Sequence, residues 1–142
     1  MTTRITRKWA AACLLACAVA MPKTSQGNDA ASTVNGTWII RDLILRIFAC
    51  RDRVCGQIVW LRDAARRPSQ CGRTIVWGLE ASGPNSWNGG SILDPDYNII
   101  YGLSAVLEPD GVLHARIFKG VPLFGKTEIL KRVDLASFTG QC

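Results

Sequence analysis

His114 is the first side chain to consider for acid–base or metal chemistry, because it is the only histidine among the 142 residues. In the segment 112–118 it alternates with apolar residues, so a strand there would place it on the polar face beside Arg116. A second histidine for a metal site, or the partners of a Ser-His-Asp triad, cannot be assembled from this spacing. We therefore expect no catalytic residue, no metal and no cofactor.

Asp94 and Asp96 are the second candidate for chemistry, since a pair of carboxylates can cleave glycosidic bonds when one is buried with a raised pKa. They flank Pro95, however, and Asp-Pro-Asp is more typical of a turn. The serines at positions 82, 86 and 91 lack the Gly-x-Ser-x-Gly setting of a nucleophile. The sequence predicts a protein that is not an enzyme.

The cysteines indicate disulfide chemistry. Two of the six lie in the N-terminal segment, at positions 13 and 17, and the other four are Cys50, Cys55, Cys71 and Cys142. Four cysteines allow three connectivities. We favour Cys50 with Cys55, which would clamp a hairpin end, and Cys71 with Cys142. A metal site is disfavoured because no Cys-x-x-Cys spacing occurs.

The N-terminal segment has the features of a secretory signal peptide over residues 1–20. Basic residues precede an apolar run at 9–19, and Ala18-Val19-Ala20 is a small-x-small cleavage site. The apolar run is about half the roughly 20 residues of a spanning helix, so we expect no transmembrane anchor. An alternative is a lipid anchor at Cys17, because Leu14-Leu15-Ala16-Cys17 resembles a lipobox. Residues 21–33 are polar and small and predict a flexible lead-in to one domain at 34–142.

Export would also change the charge of the protein. Without residues 1–20 the 17 basic residues become 14, against 11 acidic ones, so the net charge falls from +6 to about +3. Four arginines still cluster at positions 62, 66, 67 and 73. We interpret them as a solvated loop; the alternative is a patch that meets phosphates, lipid headgroups or acidic glycans. No nucleic-acid partner is expected.

The elements that would carry these residues are strands. Apolar residues recur with period two, turn signals separate short segments, and no sustained helical spacing follows the N-terminal segment. We predict strands at 37–41, 43–50, 56–61, 74–80, 86–93, 99–107, 112–119 and 126–133. Gly36 and Trp38 lie in the first predicted strand and Arg132 in the last. We expect the two strands to be neighbours, since the Arg132 guanidinium can stack on the Trp38 indole and bond nearby carbonyls. The fold class is therefore all-β, a small closed antiparallel β-barrel of about eight strands.

Several motifs in order resemble one bacterial family. They are Gly36-Thr37-Trp38, the segment 55–61 with sequence CGQIVWL, Trp87-Asn88-Gly89-Gly90 leading to Asp94-Pro95 and Tyr101, and the segment 120–127 with sequence GVPLFGKT. Together they resemble the domain of unknown function 2147 (DUF2147) family. The resemblance implies an exported envelope protein, periplasmic or secreted, with a lipocalin/calycin-like barrel; it implies no reaction.

Two functions fit such a barrel. The first is the binding of a small apolar or amphipathic ligand in the interior, with pocket candidates Leu45, Ile47, Trp77, Tyr101, Leu103 and Phe124. The second is a packed barrel that acts through its loops at the cell envelope or outside the cell. Leu123 and Phe124, between Gly120 and Gly125, would gate the mouth or touch a partner in one interpretation; we favour the other, in which they plug one end of the core.

Overall fold

Eight antiparallel strands close into a barrel in the computed structural model, which describes residues 33–142. The strands are β1 (Gly36–Ile40), β2 (Leu43–Cys50), β3 (Arg53–Leu61), β4 (Thr74–Gly83), β5 (Ser86–Asp94), β6 (Ile99–Leu107), β7 (Leu113–Phe118) and β8 (Lys126–Arg132). The predicted signal peptide, the alternative of a lipid anchor at Cys17 and nearly all of the predicted lead-in fall outside the described residues. The predicted fold class is confirmed.

Each strand pairs with its neighbour in sequence, and β1 pairs with β8 to close the ring. At the closure Trp38 lies opposite Arg132 and Ile39 opposite Lys131. Alternate side chains point inward, as a pleated strand requires. The inward-facing side chains form a hydrophobic core cluster, whose fully buried members include Trp38, Ile58 and Leu61.

The predicted strand bounds are wrong at β3 and β4. Strand β3 begins at Arg53 rather than residue 56, because the hairpin needs only Arg51 and Asp52 to turn. Arg51 has a left-handed φ of 59°, which allows that tight reversal. Strand β4 continues to Gly83 rather than residue 80, through an irregularity in its pairing with β5.

One end of the barrel is sealed by the motif that the sequence singled out. The Trp38 indole donates Nε1–H to the Val34 carbonyl at 2.8 Å, and the Arg132 guanidinium lies over the ring at 4.2 Å from its centroid. Arg132 also donates to the carbonyls of Thr33 and Asn35. A Cβ on Gly36 would lie 2.7 Å from Arg132 Nη1, and its φ is 137°. Glycine is therefore required there so that the guanidinium can cross the strand.

The opposite end carries four connections, and we call this end the mouth. They are the tight turn at 41–42, the long link at 62–73, the turn at 95–98 and the loop at 119–125. The long link contains a 3₁₀ turn, Ala64–Arg66, and a one-turn helix, α1 (Arg67–Gln70). These connections determine what can enter the barrel.

A C-terminal strap at 133–142, which the sequence did not reveal, runs along the outside of β3 back toward the mouth. Phe138 packs edge-on against Trp60, with ring centroids 5.0 Å apart, and Trp60 donates its indole N–H to the Thr139 carbonyl at 2.7 Å. The strap covers a second apolar cluster that includes Ile44 and Val59. At Cys142, the backbone N–H of the strap donates a hydrogen bond to the Val59 carbonyl of β3.

Both disulfides form between the favoured partners. Cys50 is bonded to Cys55 across the β2–β3 hairpin. Cys71, in the long link at the mouth, is bonded to Cys142 at the end of the strap. The second bond therefore joins the mouth to the C terminus.

Candidate functional site

The mouth half of the barrel contains a cavity of about 490 Å³ that opens to solvent. Apolar side chains from five strands form its wall: Leu43, Leu45, Ile75, Ile92, Tyr101 and Ile117. The far half of the interior has no such space, because the indole rings of Trp38 and Trp87 are buried there. The barrel is therefore packed at its sealed end and hollow at its mouth.

Glu128 is a charged side chain in this wall. It lies on β8 two residues before the buried Leu130, so both point inward, and its side chain is only 14% exposed. Its carboxylate accepts hydrogen bonds from Arg41, one of them from Nε to Oε2 at 3.0 Å. It also forms an ion pair with Lys126, whose Nζ lies 3.1 Å from Oε1. Burial by itself raises the pKa of Glu128, but the hydrogen bonds and charges of Lys126 and Arg41 outweigh it and lower the pKa.

Arg41 reaches Glu128 from the turn between β1 and β2. Its φ is 50°, in the left-handed region that arginine seldom adopts. This backbone conformation reverses the chain in two residues and places the guanidinium over the cavity. The Glu128 carboxylate thus pairs with two cationic side chains at the rim, Arg41, which is 60% exposed, and Lys126, which is 71% exposed.

We expect the stabilising effect of the Glu128 charge to depend on pH. Because the folded-state pKa lies below the unfolded value near 4.5, this contribution is present above pH 4.5 and is lost as pH falls through the lowered pKa. Glu128→Gln should therefore lower the melting temperature at neutral pH, and the gap from wild type should close in acid. Glu80→Gln, which removes a 59% exposed partner of Arg53, is the control and should change the melting temperature little at neutral pH.

A second group of ionic contacts holds the long link at the mouth. Arg66 donates to Asp42 at 2.6 Å and to Asp96 at 2.8 Å, and Gln70 donates to Asp96 at 2.7 Å. Arg66 also lines the cavity, and its Nε is buried without a hydrogen-bond partner among residues 33–142. Arg67 donates to the Leu61 carbonyl. Two of the four clustered arginines thus have structural contacts, contrary to the expectation of a solvated loop.

The two aspartates that could have formed a catalytic pair instead build the turn that was predicted. Asp94 Oδ1 accepts the backbone N–H groups of Asp96 and Tyr97 at 2.9 and 3.2 Å. Asp96 is occupied by Arg66 and Gln70. His114 lies 3.6 Å from Glu108, on the opposite strand face from the buried Leu113.

The six pocket candidates do not form one surface. Leu45, Tyr101 and Phe124 line the cavity. Ile47 and Leu103 do not line the cavity, because each lies two residues farther from the mouth than the cavity residue on its own strand. Both belong to the buried core cluster, of which Leu45 is also a member. Trp77 is half-buried and belongs to neither hydrophobic cluster. An alternating pattern shows which face points inward, but not how deep the filled part of a barrel extends.

The prediction that Leu123 and Phe124 plug the core is wrong. The two residues are 77% and 81% exposed, within a 3₁₀ turn at Pro122–Phe124. Phe124 is nevertheless one of the residues that line the cavity. Arg116 holds the loop outward, since its guanidinium donates to the carbonyls of Pro122 at 2.9 Å and Leu123 at 3.0 Å.

Residues 120–127 also have the residue order of a phosphate-binding loop, G-x-x-x-x-G-K-T. That loop works by joining a buried strand to a helix whose N-terminal amides face the phosphates. Here the segment joins the antiparallel strands β7 and β8, and Lys126 begins strand β8 rather than a helix. The fold therefore lacks the phosphate cradle.

Across positions 33–142, no group of three or more His, Cys, Asp or Glu side chains is arranged to hold a metal ion. Over the same positions, no helix has the length and apolar character needed to cross a bilayer.

Comparison with known proteins assigns the chain to a family. The model of a family described as an uncharacterized protein conserved in bacteria (DUF2147) matches residues 36–132, from the first residue of β1 to the last of β8. The chain belongs to this family. The matched region includes the cavity wall and all four connections at the mouth of this DUF2147 barrel. No curated protein matches the sequence significantly.

A solved structure has the same fold. It is described as protein HP1028 from the human pathogen Helicobacter pylori, which belongs to the lipocalin family. The TM-score is 0.60 at 15% sequence identity, over 72% of this chain and 84% of that one. At this identity the similarity establishes the lipocalin-like barrel of the DUF2147 chain and nothing finer.

Proposed function

We propose that this protein is exported and binds a small amphipathic molecule in its barrel, with the apolar body inside and an anionic head at the mouth. The observation that carries the proposal is the open cavity of about 490 Å³ above a sealed core. Its volume lies within the roughly 300–1,000 Å³ typical of small-molecule sites. A barrel that acted only through its loops would have no need of this space.

The wall of the cavity favours an apolar body. Leu45, Ile75 and Ile117 present only hydrocarbon, and the Tyr101 ring adds a large apolar face. Burial of apolar surface contributes about 25 cal/mol per Å² and is not directional, so the wall selects by size and shape. We therefore expect a ligand with a flexible or flat hydrocarbon part.

The rim favours an anionic head. Arg41 and Lys126 share the single carboxylate of Glu128, so these three residues carry a net positive charge at that side of the mouth. The three aspartates of the lining already accept hydrogen bonds from Arg66, Gln70 or backbone N–H groups, and Lys119 adds another ammonium group. A carboxylate, sulfonate or phosphate could accept from several of these groups at once.

Export is supported by the two disulfides, since such bonds persist mainly in oxidising compartments. The signal-like segment at 1–20 gives independent support. A binding role rather than catalysis is supported by the site itself: its acidic groups are engaged by arginine, lysine or backbone donors, and His114 lies outside the cavity lining.

An anionic fluorescent amphiphile, 1-anilinonaphthalene-8-sulfonate, provides a direct test. Wild type should bind it with one-site saturation and a blue-shifted emission. Ile117→Trp should weaken this binding at least about tenfold, because the indole would occupy space that the ligand needs. Ile129→Trp is the matched control: it makes the same exchange on β8, where the side chain is 45% exposed and does not line the cavity.

The proposal is contradicted if Ile117→Trp and wild type, both shown to be folded, bind the probe equally well. It is also contradicted if the Ile129→Trp control loses binding to the same extent, since the probe would then sit outside the barrel. Arg41→Gln separates the two halves of the proposal, because it should weaken binding of the sulfonated probe more than that of a neutral apolar probe.

A further inference from the structure

We propose that the mouth of the barrel docks on a membrane surface that carries anionic lipid, with the loop at 119–125 inserted among the lipids. This inference does not depend on the ligand in the cavity. It rests on three features of the same end of the barrel: exposed apolar side chains, a rigid loop that presents them, and an excess of basic residues around them.

The exposed apolar side chains are concentrated at the mouth. Val121, Leu123 and Phe124 are exposed in the loop between β7 and β8. Tyr97 is 76% exposed in the turn between β5 and β6, and β6 is the neighbour of β7. Ile100, next to that turn, is exposed as well. Several large apolar side chains exposed at one end of a protein are more typical of an interaction site than of chance exposure.

The loop that carries Leu123 and Phe124 is held in place by the barrel. Arg116 on β7 bonds the carbonyls of Pro122 and Leu123, and it also contacts the Thr127 hydroxyl at 3.2 Å. A Cβ on Gly125 would lie 2.6 Å from the Ile117 carbonyl, so the loop also packs closely against the strand. Two backbone carbonyls of the loop are thus bonded to the barrel, while its apolar side chains at positions 121, 123 and 124 are exposed.

The connections at the two ends of the barrel differ in charge. The connections at the mouth hold six basic residues and three acidic ones, whereas those at the far end, 51–52, 84–85 and 108–112, hold one basic residue and three acidic ones. The mouth residues are Arg41, Arg62, Arg66, Arg67, Arg73 and Lys119 against Asp42, Asp63 and Asp96; the far-end residues are Arg51 against Asp52, Glu108 and Asp110. Such an axial asymmetry would orient the mouth toward a negatively charged surface.

An anionic bilayer fits these features better than a protein partner of unspecified kind. Peripheral proteins bind the headgroup region of a membrane through exposed apolar side chains surrounded by basic residues. The free energies of apolar insertion and of attraction to anionic lipid then add together. In this orientation the cavity would open directly onto the membrane.

Flotation with vesicles tests the proposal. The purified protein should bind vesicles of phosphatidylcholine mixed with phosphatidylglycerol, bind pure phosphatidylcholine much less, and lose binding as salt increases. Val121→Ser/Leu123→Ser, neither of which lines the cavity, should weaken binding at least about tenfold. The matched control is Val106→Ser/Ile129→Ser, which removes two comparably apolar, exposed side chains from the outer face of the barrel and should leave binding unchanged.

A charge reversal provides a second arm. Arg62→Glu at the mouth should weaken binding to the anionic vesicles about tenfold, and Arg51→Glu at the far end should not. The proposal is overturned if the Val121/Leu123 variant binds as wild type does, or if both vesicle types bind equally without salt dependence. A third outcome also overturns the proposal: wild type does not bind vesicles and is a dimer by light scattering, and the Val121→Ser/Leu123→Ser variant is a monomer. The loop at 119–125 would then contact a second copy of the chain.

Discussion

Replacement of Cys71 and Cys142 together by serine is expected to lower the free energy of unfolding by about 4 kcal/mol. The bond between them spans 71 residues of sequence, and closing a loop of that length removes much of the entropy of the unfolded chain. The loss has a structural part as well, because the strap that covers Ile44, Val59 and Trp60 would no longer be fixed at its end. Urea unfolding without reductant measures the change.

The matched control is the short disulfide. Cys50→Ser/Cys55→Ser removes a bond that spans 5 residues and should cost about 2 kcal/mol, half as much, because the hairpin already holds the two residues close together. If the two double variants are equally destabilised, loop length does not determine the effect. If the long bond contributes less than the short one, the strap is not an integral part of the fold.

Trp38→Ala is expected to cost about 3–5 kcal/mol, the range for removal of a large buried aromatic side chain. Its indole is fully buried, bonds Val34 and carries the Arg132 guanidinium on its face. The substitution would open a cavity at the sealed end of the barrel and leave that guanidinium without the ring on which it stacks. The measurement is again chemical denaturation, with near-ultraviolet circular dichroism to confirm that the variant folds.

Trp77→Ala is the control for this substitution. It deletes the same atoms from a half-buried position outside both hydrophobic clusters, so it should cost less than half as much. An equal loss at the two positions would show that the sealed end is not the part of the core that stabilises the barrel most.

The strand pattern was predictable because a half-buried strand records its two faces in the sequence. Alternation along β2, β6 and β7 gave those strands within one residue of their bounds, and Gly36, Trp38 and Arg132 identified where the ring closes. Bulges break the alternation. Ile75 and Val76 are consecutive yet both buried, at an irregularity in the pairing of β3 with β4 that no local residue type specifies.

The site was less predictable, because depth along the barrel is a property of packing. Ile47 and Leu103 have the same inward-facing pattern as Leu45 and Tyr101, and only the positions of the bulky side chains decide which pair meets the cavity. The role of Glu128 could not be predicted, since the sequence does not distinguish a single inward-facing carboxylate from a charged residue on the outer face of a strand. The exposure of Leu123 and Phe124 depends on the bonds from Arg116, a contact between separate parts of the chain.

Native mass spectrometry of the protein purified from the cells that produce it tests the central claim, a hollow barrel that holds a small amphipathic ligand. The account predicts a wild-type mass above that of the polypeptide, with the extra mass released on unfolding and absent from Ile117→Trp purified in the same way. A wild-type protein that carries only its own mass, and that neither binds nor retains amphiphiles added before purification, would contradict the account.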